Sequence, residues 1–203
     1  MTTRKLWTAI ALLVGLLVGT NWPQATYTPA GGGLTLLEVR TASNSASLDF
    51  TTGITSAFDQ YVLEINSFVP AADSSLLVRF SSNNGSSWDT GSNYNWTAWC
   101  TANGAFPSGH VEGTSQTSLN VWQTIESTSS AGVSATLRIH NPLNASVSKL
   151  LRFDGVAMQD TGDLYRFEGG GKYASASVIN GIQLKAGSGN IASGVARLYG
   201  VAK

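Results

Sequence analysis

Cysteine is almost absent from this sequence: Cys100 stands alone. No internal disulfide can form, which excludes a disulfide-stapled secreted domain, and a single thiol in such a chain is expected to be a small, inert, buried group. Charge is scarce too. Asp, Glu, Lys and Arg make up 12% of the 203 residues, against about 25% in ordinary soluble domains. Formal net charge is zero, so no basic patch favours nucleic acid and no acidic run forms a tail. Ser, Thr, Asn and Gly replace the charges. Such a surface is cheap to desolvate and suits packing against neighbours.

Catalytic signatures are also missing. There is no G-x-S-x-G elbow, no cysteine pair and no phosphate-binding loop ahead of a helix. The stretch EGGGK, residues 168–172, lacks the spacing and the following helix that a phosphate loop needs. The two histidines are His140, in LRIHNP at a strand end, and His110, two residues before Glu112. A His-x-Glu pair without a third ligand falls short of the three or four a metal site requires. The aspartates are scattered over strand ends and turns, where acidic residues are common, so their spacing marks no glycosidase pair. The expectation is a protein with no enzymatic activity, no catalytic residues, no metal and no cofactor.

What is present begins with a hydrophobic stretch. Arg4 and Lys5 precede LWTAIALLVGLLVG, residues 6–19, and no charge returns until Glu38. A secretory signal has this basic start and apolar length, but Leu17 or Val18 stands where cleavage prefers a small residue. A membrane helix wants about 17–25 apolar residues, so residues 6–22 are borderline, with Trp7 and Trp22 placed for the two interfaces. The third reading is a helix or arm buried in an assembly, anchored by Leu6, Trp7, Ile10, Leu13, Leu16 and Leu17. All three stay open, membrane contact through residues 6–19 included. The organisation is then an anchor or arm over residues 1–20, a spacer over 21–33 and a domain over 34–203. The spacer, NWPQATYTPAGGG, has two prolines and three consecutive glycines and cannot continue a helix.

From Leu34 onward apolar residues alternate in short runs separated by turn residues, the pattern of an all-β domain of about ten strands. Without repeats or helical crossovers, two packed antiparallel sheets are expected. Residues 101–118, rich in glycine and small polar residues, read as a long loop, functional or interfacial. The closing stretch, NIASGVARLYGV, reads as a strand paired inside a sheet. Its large side chains Ile191, Val195, Tyr199 and Val201 alternate with Ala192, Gly194, Ala196 and Gly200, so another layer can approach the small side closely. Trp88, Tyr94, Trp96 and Trp99 fall within twelve residues. They fill the core or a subunit interface, or else, with His110 in the neighbouring loop, they are the candidate ligand-binding residues, since aromatic faces stack on sugars and pack partners.

The segment LDFTTGITSAFDQYVLEINSFVPAADSSLLVRFSSNNGSSWDTGSNYNW resembles one common in bacteriophage virion proteins: an aspartate-aromatic corner at Asp59–Tyr61, an L-x-V-R-F-S strand, a glycine turn and an aromatic strand. INGIQLKAGSGNIASGVARLYGVAK is similar to their C-terminal strands. The resemblance covers residues 48–203, with a poorly matched middle over 100–121. It implies a jelly-roll-like β-sandwich in a tailed-phage tail fibre, tail tip or capsid decoration, a homo-oligomer with a trimer favoured. Its partners would be other virion proteins and a host-surface glycan or receptor, and its location the virion. The hydrophobic stretch over residues 6–19 departs from that family and favours an anchoring arm. The competing expectation is an exported or membrane-anchored cell-surface module that binds carbohydrate or adheres. A hydrolase on the same scaffold would need two carboxylates converging in a cleft.

Overall fold

A computed structural model describes residues 33–103, 108–127, 132–158 and 162–203. The candidate anchor residues Leu6, Trp7, Ile10, Leu13, Leu16 and Leu17 lie outside the described residues, as does the spacer up to its last glycine. The described residues form twelve strands and no helix. The strands are β1 (Leu34–Ser45), β2 (Leu48–Phe50), β3 (Gln60–Pro70), β4 (Ser74–Ser81), β5 (Tyr94–Ala102) and β6 (Gly109–Gln116). They continue with β7 (Leu119–Ile125), β8 (Gly132–His140), β9 (Lys149–Met158), β10 (Leu164–Tyr173), β11 (Gly181–Ala186) and β12 (Ile191–Val201).

Every pairing is antiparallel. One sheet runs β1-β12-β3-β8-β9-β10-β5-β6 and the other β2-β11-β4-β7. Within that arrangement β1-β12-β3-β8 and β2-β11-β4-β7 are the two halves of a jelly roll. The chain passes from sheet to sheet in nested pairs, β1 with β12, β2 with β11, β3 with β8 and β4 with β7, which is two Greek keys. The expected antiparallel sandwich is therefore the observed one. Two hairpins are inserted into it, β5–β6 and β9–β10. Both extend the same edge of the larger sheet, beyond β8.

Alternation explains which residues enter the core. In β8, Val133, Ala135, Leu137 and Ile139 are buried while Ser134, Thr136 and Arg138 point away; in β9, Leu151, Phe153 and Ala157 do the same. Trp122 on β7 lies flat on Phe167 of β10, ring centres 4.6 Å apart, and joins the small sheet to the inserted strands. One buried residue breaks the pattern. Lys149 stands on the core side of β9, fully covered, and its Nζ donates to the Val147 carbonyl at 2.7 Å. Lys149→Met keeps the stem and removes a desolvated ammonium, so thermal unfolding should show a more stable variant, by about 1 kcal/mol.

At the opposite edge, Glu38 of β1 reaches the loop after β2. Its carboxylate accepts hydrogen bonds from the Thr52 amide and hydroxyl and from the Gly53 amide, and pairs with Arg40 at 2.8 Å. Burial alone would raise its pKa, but these donors and Arg40 outweigh it and hold the carboxyl below the ordinary value. The aspartate-aromatic corner is a backbone clamp. The buried Tyr61 hydroxyl donates to the Thr55 carbonyl and accepts from the Thr55 amide, while Asp59 meets Lys203 at 3.1 Å.

Two expectations are corrected. Residues 109–116 are not loop but strand β6, paired with β5. As an edge strand it has one neighbour and buries little, so its sequence, GHVEGTSQ, carries no apolar alternation; backbone hydrogen bonds hold it. In β12, Ile191 does not share a face with Val195, Tyr199 and Val201. Register shifts between Ile191 and Val195, around Gly194 with φ +139°, flip the strand, so Ile191 is buried and the others point outward. The small-residue side does admit close packing. A Cβ on Gly200 would lie 2.5 Å from the Phe58 ring.

Candidate interaction face

The aromatic cluster divides by alternation along β5. Tyr94 and Trp96 point into the core and are buried. The Tyr94 hydroxyl accepts from the Phe80 amide at 3.0 Å and donates to the Asp89 carbonyl at 3.1 Å. Trp96 lies so close to Gly113 that a Cβ there would be 2.4 Å from Nε1. Trp88 is half-buried in the loop after β4, with its ring against Gly85 and Gly181. These three aromatics pack into the fold and hold it together. Trp99 alone turns outward, 53% exposed.

The loop that carries Trp88 is tied down by Asp89. Its carboxylate accepts from Tyr173 Oη, from Asn93 Nδ2 at 2.8 Å and from the Gly91 amide at 2.7 Å. Burial pushes this pKa up, yet the three donors outweigh it and the net shift is downward. Burial, then the Asp89 hydrogen bond and charge, push the Tyr173 phenol well above its usual range. A carboxylate held low favours folding above the ordinary aspartate range, and that contribution is lost as pH falls through the lowered value. Thermal melts between neutral and strongly acid pH should therefore fall more steeply for wild type than for Asp89→Asn.

Trp99 belongs to a broad outer face built from β9, β10, β5 and β6. Directly across the ladder it pairs with Glu168 on β10 and His110 on β6, so all three share that face. His110 is exposed, with Nε2 2.7 Å from Thr97 Oγ1 and 3.9 Å from Glu112. No group of three or more His, Cys, Asp or Glu side chains able to hold a metal ion occurs among the described residues. The structure thus brings Trp99 and His110 together on the outer face, sets the buried Trp96 at the wall of an adjoining groove, and places Trp88 and Tyr94 elsewhere.

Four residues of the face carry no obvious sequence signal: Leu150, Val156, Met158 and Leu164, each 39–63% exposed. Leu150, Val156 and Met158 are visible only in that KLLRFDGVAM carries apolar residues on both of its alternating faces, where a strand open to water on one side should be polar outside, and Leu164 opens the next strand. Charges on the face form two bands. Arg138 on β8 is directly opposite Arg152 on β9; two residues along, on the same face, Asp154 on β9 is directly opposite Glu168 on β10. Beside the bands runs a groove of about 430 Å³, with Gly170 in its floor and Thr97, Asn95, Leu150, Lys172 and Thr114 around it.

No known family model, curated protein or solved structure matches this chain. Function must be argued from the fold and from this face.

Proposed function

We propose that the chain is a non-enzymatic structural protein of a bacteriophage virion, of the tail-fibre, tail-tip or capsid-decoration kind. It is attached through its N-terminal segment, works as a homo-oligomer among other virion proteins, and contributes to host attachment. One observation carries this reading. The domain is entered and left at one edge, because Leu34 at the start of β1 pairs with Val201 at the end of β12. Trp99 stands six strands away, about 29 Å at 4.8 Å per strand. Attachment and display are thus separated across one rigid sheet. The jelly-roll order and the scarcity of charge are in keeping with a packed assembly, as is the resemblance of residues 48–203. The test is mass spectrometry of particles purified from the native source. Full-length chain in stoichiometric amounts in the particle supports the reading; its absence from particles sinks it.

A second reading is favoured by Trp99 itself: an exported carbohydrate-binding or adhesive module. An exposed indole with the Thr97–His110 pair beside it can stack on a sugar and offer hydrogen bonds to its hydroxyls. This reading expects a mature chain lacking about the first 20 residues, in accord with a cleaved signal. It also expects retardation in polysaccharide affinity gels that Trp99→Ala abolishes.

A further inference from the structure

We propose that the outer face of β9, β10, β5 and β6 docks a second copy of this chain, with Trp99 of one copy seated in the Gly170 groove of the other. The inference rests on the homo-oligomer part of the reading above and names the surface that makes it.

Three observations converge. First, Trp99, Leu150, Val156, Met158 and Leu164 crowd three adjacent strands, and with Arg138, Arg152 and Arg166 they give the Trp, Met and Arg content typical of an interface core. Second, the charge bands are unfavourable in a lone chain. Like charges directly opposite one another destabilise a sheet, and the face holds two such pairs, Arg138 with Arg152 and Asp154 with Glu168. Among the described residues the ion pairs on this face are Arg166–Glu168 and His110–Glu112, which leave Arg138, Arg152 and Asp154 unpaired.

Third, the row of the knob and the row of the groove stand two residues apart along the same strands. A copy turned over about an axis parallel to the ladder rows, between the two bands, exchanges those rows. Arg152 then meets Asp154, Leu150 meets Val156, and Trp99 falls on Thr97 at the mouth of the groove. Lys172 comes over Arg166, whose guanidinium is already held by Glu168 at 2.9 Å. The face measures about 19 Å across four strands and about 31 Å along nine residues. That is about 600 Å² of plan area per copy, near the roughly 800 Å² per partner of a standard interface. Every residue named belongs to or borders the two inserted hairpins, so the insertions would supply the contact that the bare jelly roll lacks.

The experiment is sedimentation velocity on the full chain over micromolar concentrations, with thermal melts to confirm folding. Wild type should self-associate. Trp99→Ala should weaken association by roughly 30-fold or more, as removing a tryptophan anchor does. Gly170→Val should do the same from the other side, since the position has room for a Cβ, its nearest neighbour being the Leu151 carbonyl at 3.4 Å. Arg152→Glu should weaken association and the double reversal, Arg152→Glu with Asp154→Arg, should restore it, a rescue that a purely structural role would not give. A wild type that stays monomeric, or an oligomer indifferent to these changes, overturns the proposal. So does a monomer whose Trp99→Ala variant loses polysaccharide binding, because the indole then serves a sugar. A monomer found in particles would sink this contact and leave the virion reading standing; an oligomer dissolved by Trp99→Ala but absent from particles would do the reverse.

Discussion

Gly169→Ala is expected to destabilise the domain by about 3 kcal/mol, at the upper end of the range for overpacking a dense core. Gly169 lies mid-strand in β10, between β9 and β5, and faces inward. An added Cβ would sit 2.4 Å from the Thr97 carbonyl oxygen and 2.5 Å from Phe153 Cζ. The first is backbone in the neighbouring strand and cannot turn aside. The second is a fully buried ring with no free volume to enter. At this chain length the change should lower the melting temperature by about 6–12 °C. The adjacent residue is the control. Gly170 faces outward with room for a methyl group, so Gly170→Ala should be neutral or add about 0.4–1 kcal/mol by restricting the unfolded chain. Equal effects at the two positions would refute the inward and outward assignment of β10. The EGGGK stretch, which offers no phosphate chemistry, is thereby explained as a strand whose alternate glycines admit Phe153 on one side of the sheet and leave a groove on the other.

Trp122→Ala should cost about 3–5 kcal/mol, the usual loss for truncating a buried large aromatic. The indole lies nearly parallel to the Phe167 ring, stacked on it, with its centre 5.5 Å from that of the Tyr165 ring, and β7 carries no other aromatic to replace it. It also lines a partly open hollow of about 290 Å³ with Cys100, Val111 and Tyr165, so truncation deepens that hollow instead of letting the core close over it. Trp122→Phe should stay within about 1.5 kcal/mol of wild type, because the stack survives and a liability goes: Trp122 Nε1 is buried without a hydrogen-bond partner. Chemical denaturation of the three proteins checks both expectations, and a Phe variant as unstable as the Ala variant would show that the full bulk of the indole, not the stacked ring alone, matters.

Alternation made the sheets legible. Wherever one side of a strand faces the core, as in β3, β8 and β12, the sequence alternates and the strand can be read. β6 could not be read because an edge strand over an exposed flank needs no apolar residues. The face change in β12 was hidden because a bulge at Gly194 shifts the phase without changing composition. The candidate site was legible only in part. Proximity in sequence grouped Trp88, Tyr94, Trp96 and Trp99, but the two-residue period separates Trp99 from Trp96, and Trp88 precedes the strand altogether. Leu150, Val156, Met158 and Leu164 join Trp99 only through the pairing of β9, β10 and β5, and β5 and β10 lie some seventy residues apart, a relation that no local pattern encodes.

The pairing of Leu34 with Val201 bears on how the domain carries load. Its ladder is closed by the Ala202 amide on the Gly33 carbonyl at 3.2 Å, so both ends of the domain lie at the same end of one antiparallel pair. Pulling on those two ends together would open β1 from β12 one rung at a time, like a zipper, at low force. Pulling between the Gly33 end and the far face loads six inter-strand ladders in series, so each carries the whole force and β1–β12, gripped at its terminal rung, is the first to open. The β1–β12 ladder is therefore where a tether at the entry of the domain would first open it.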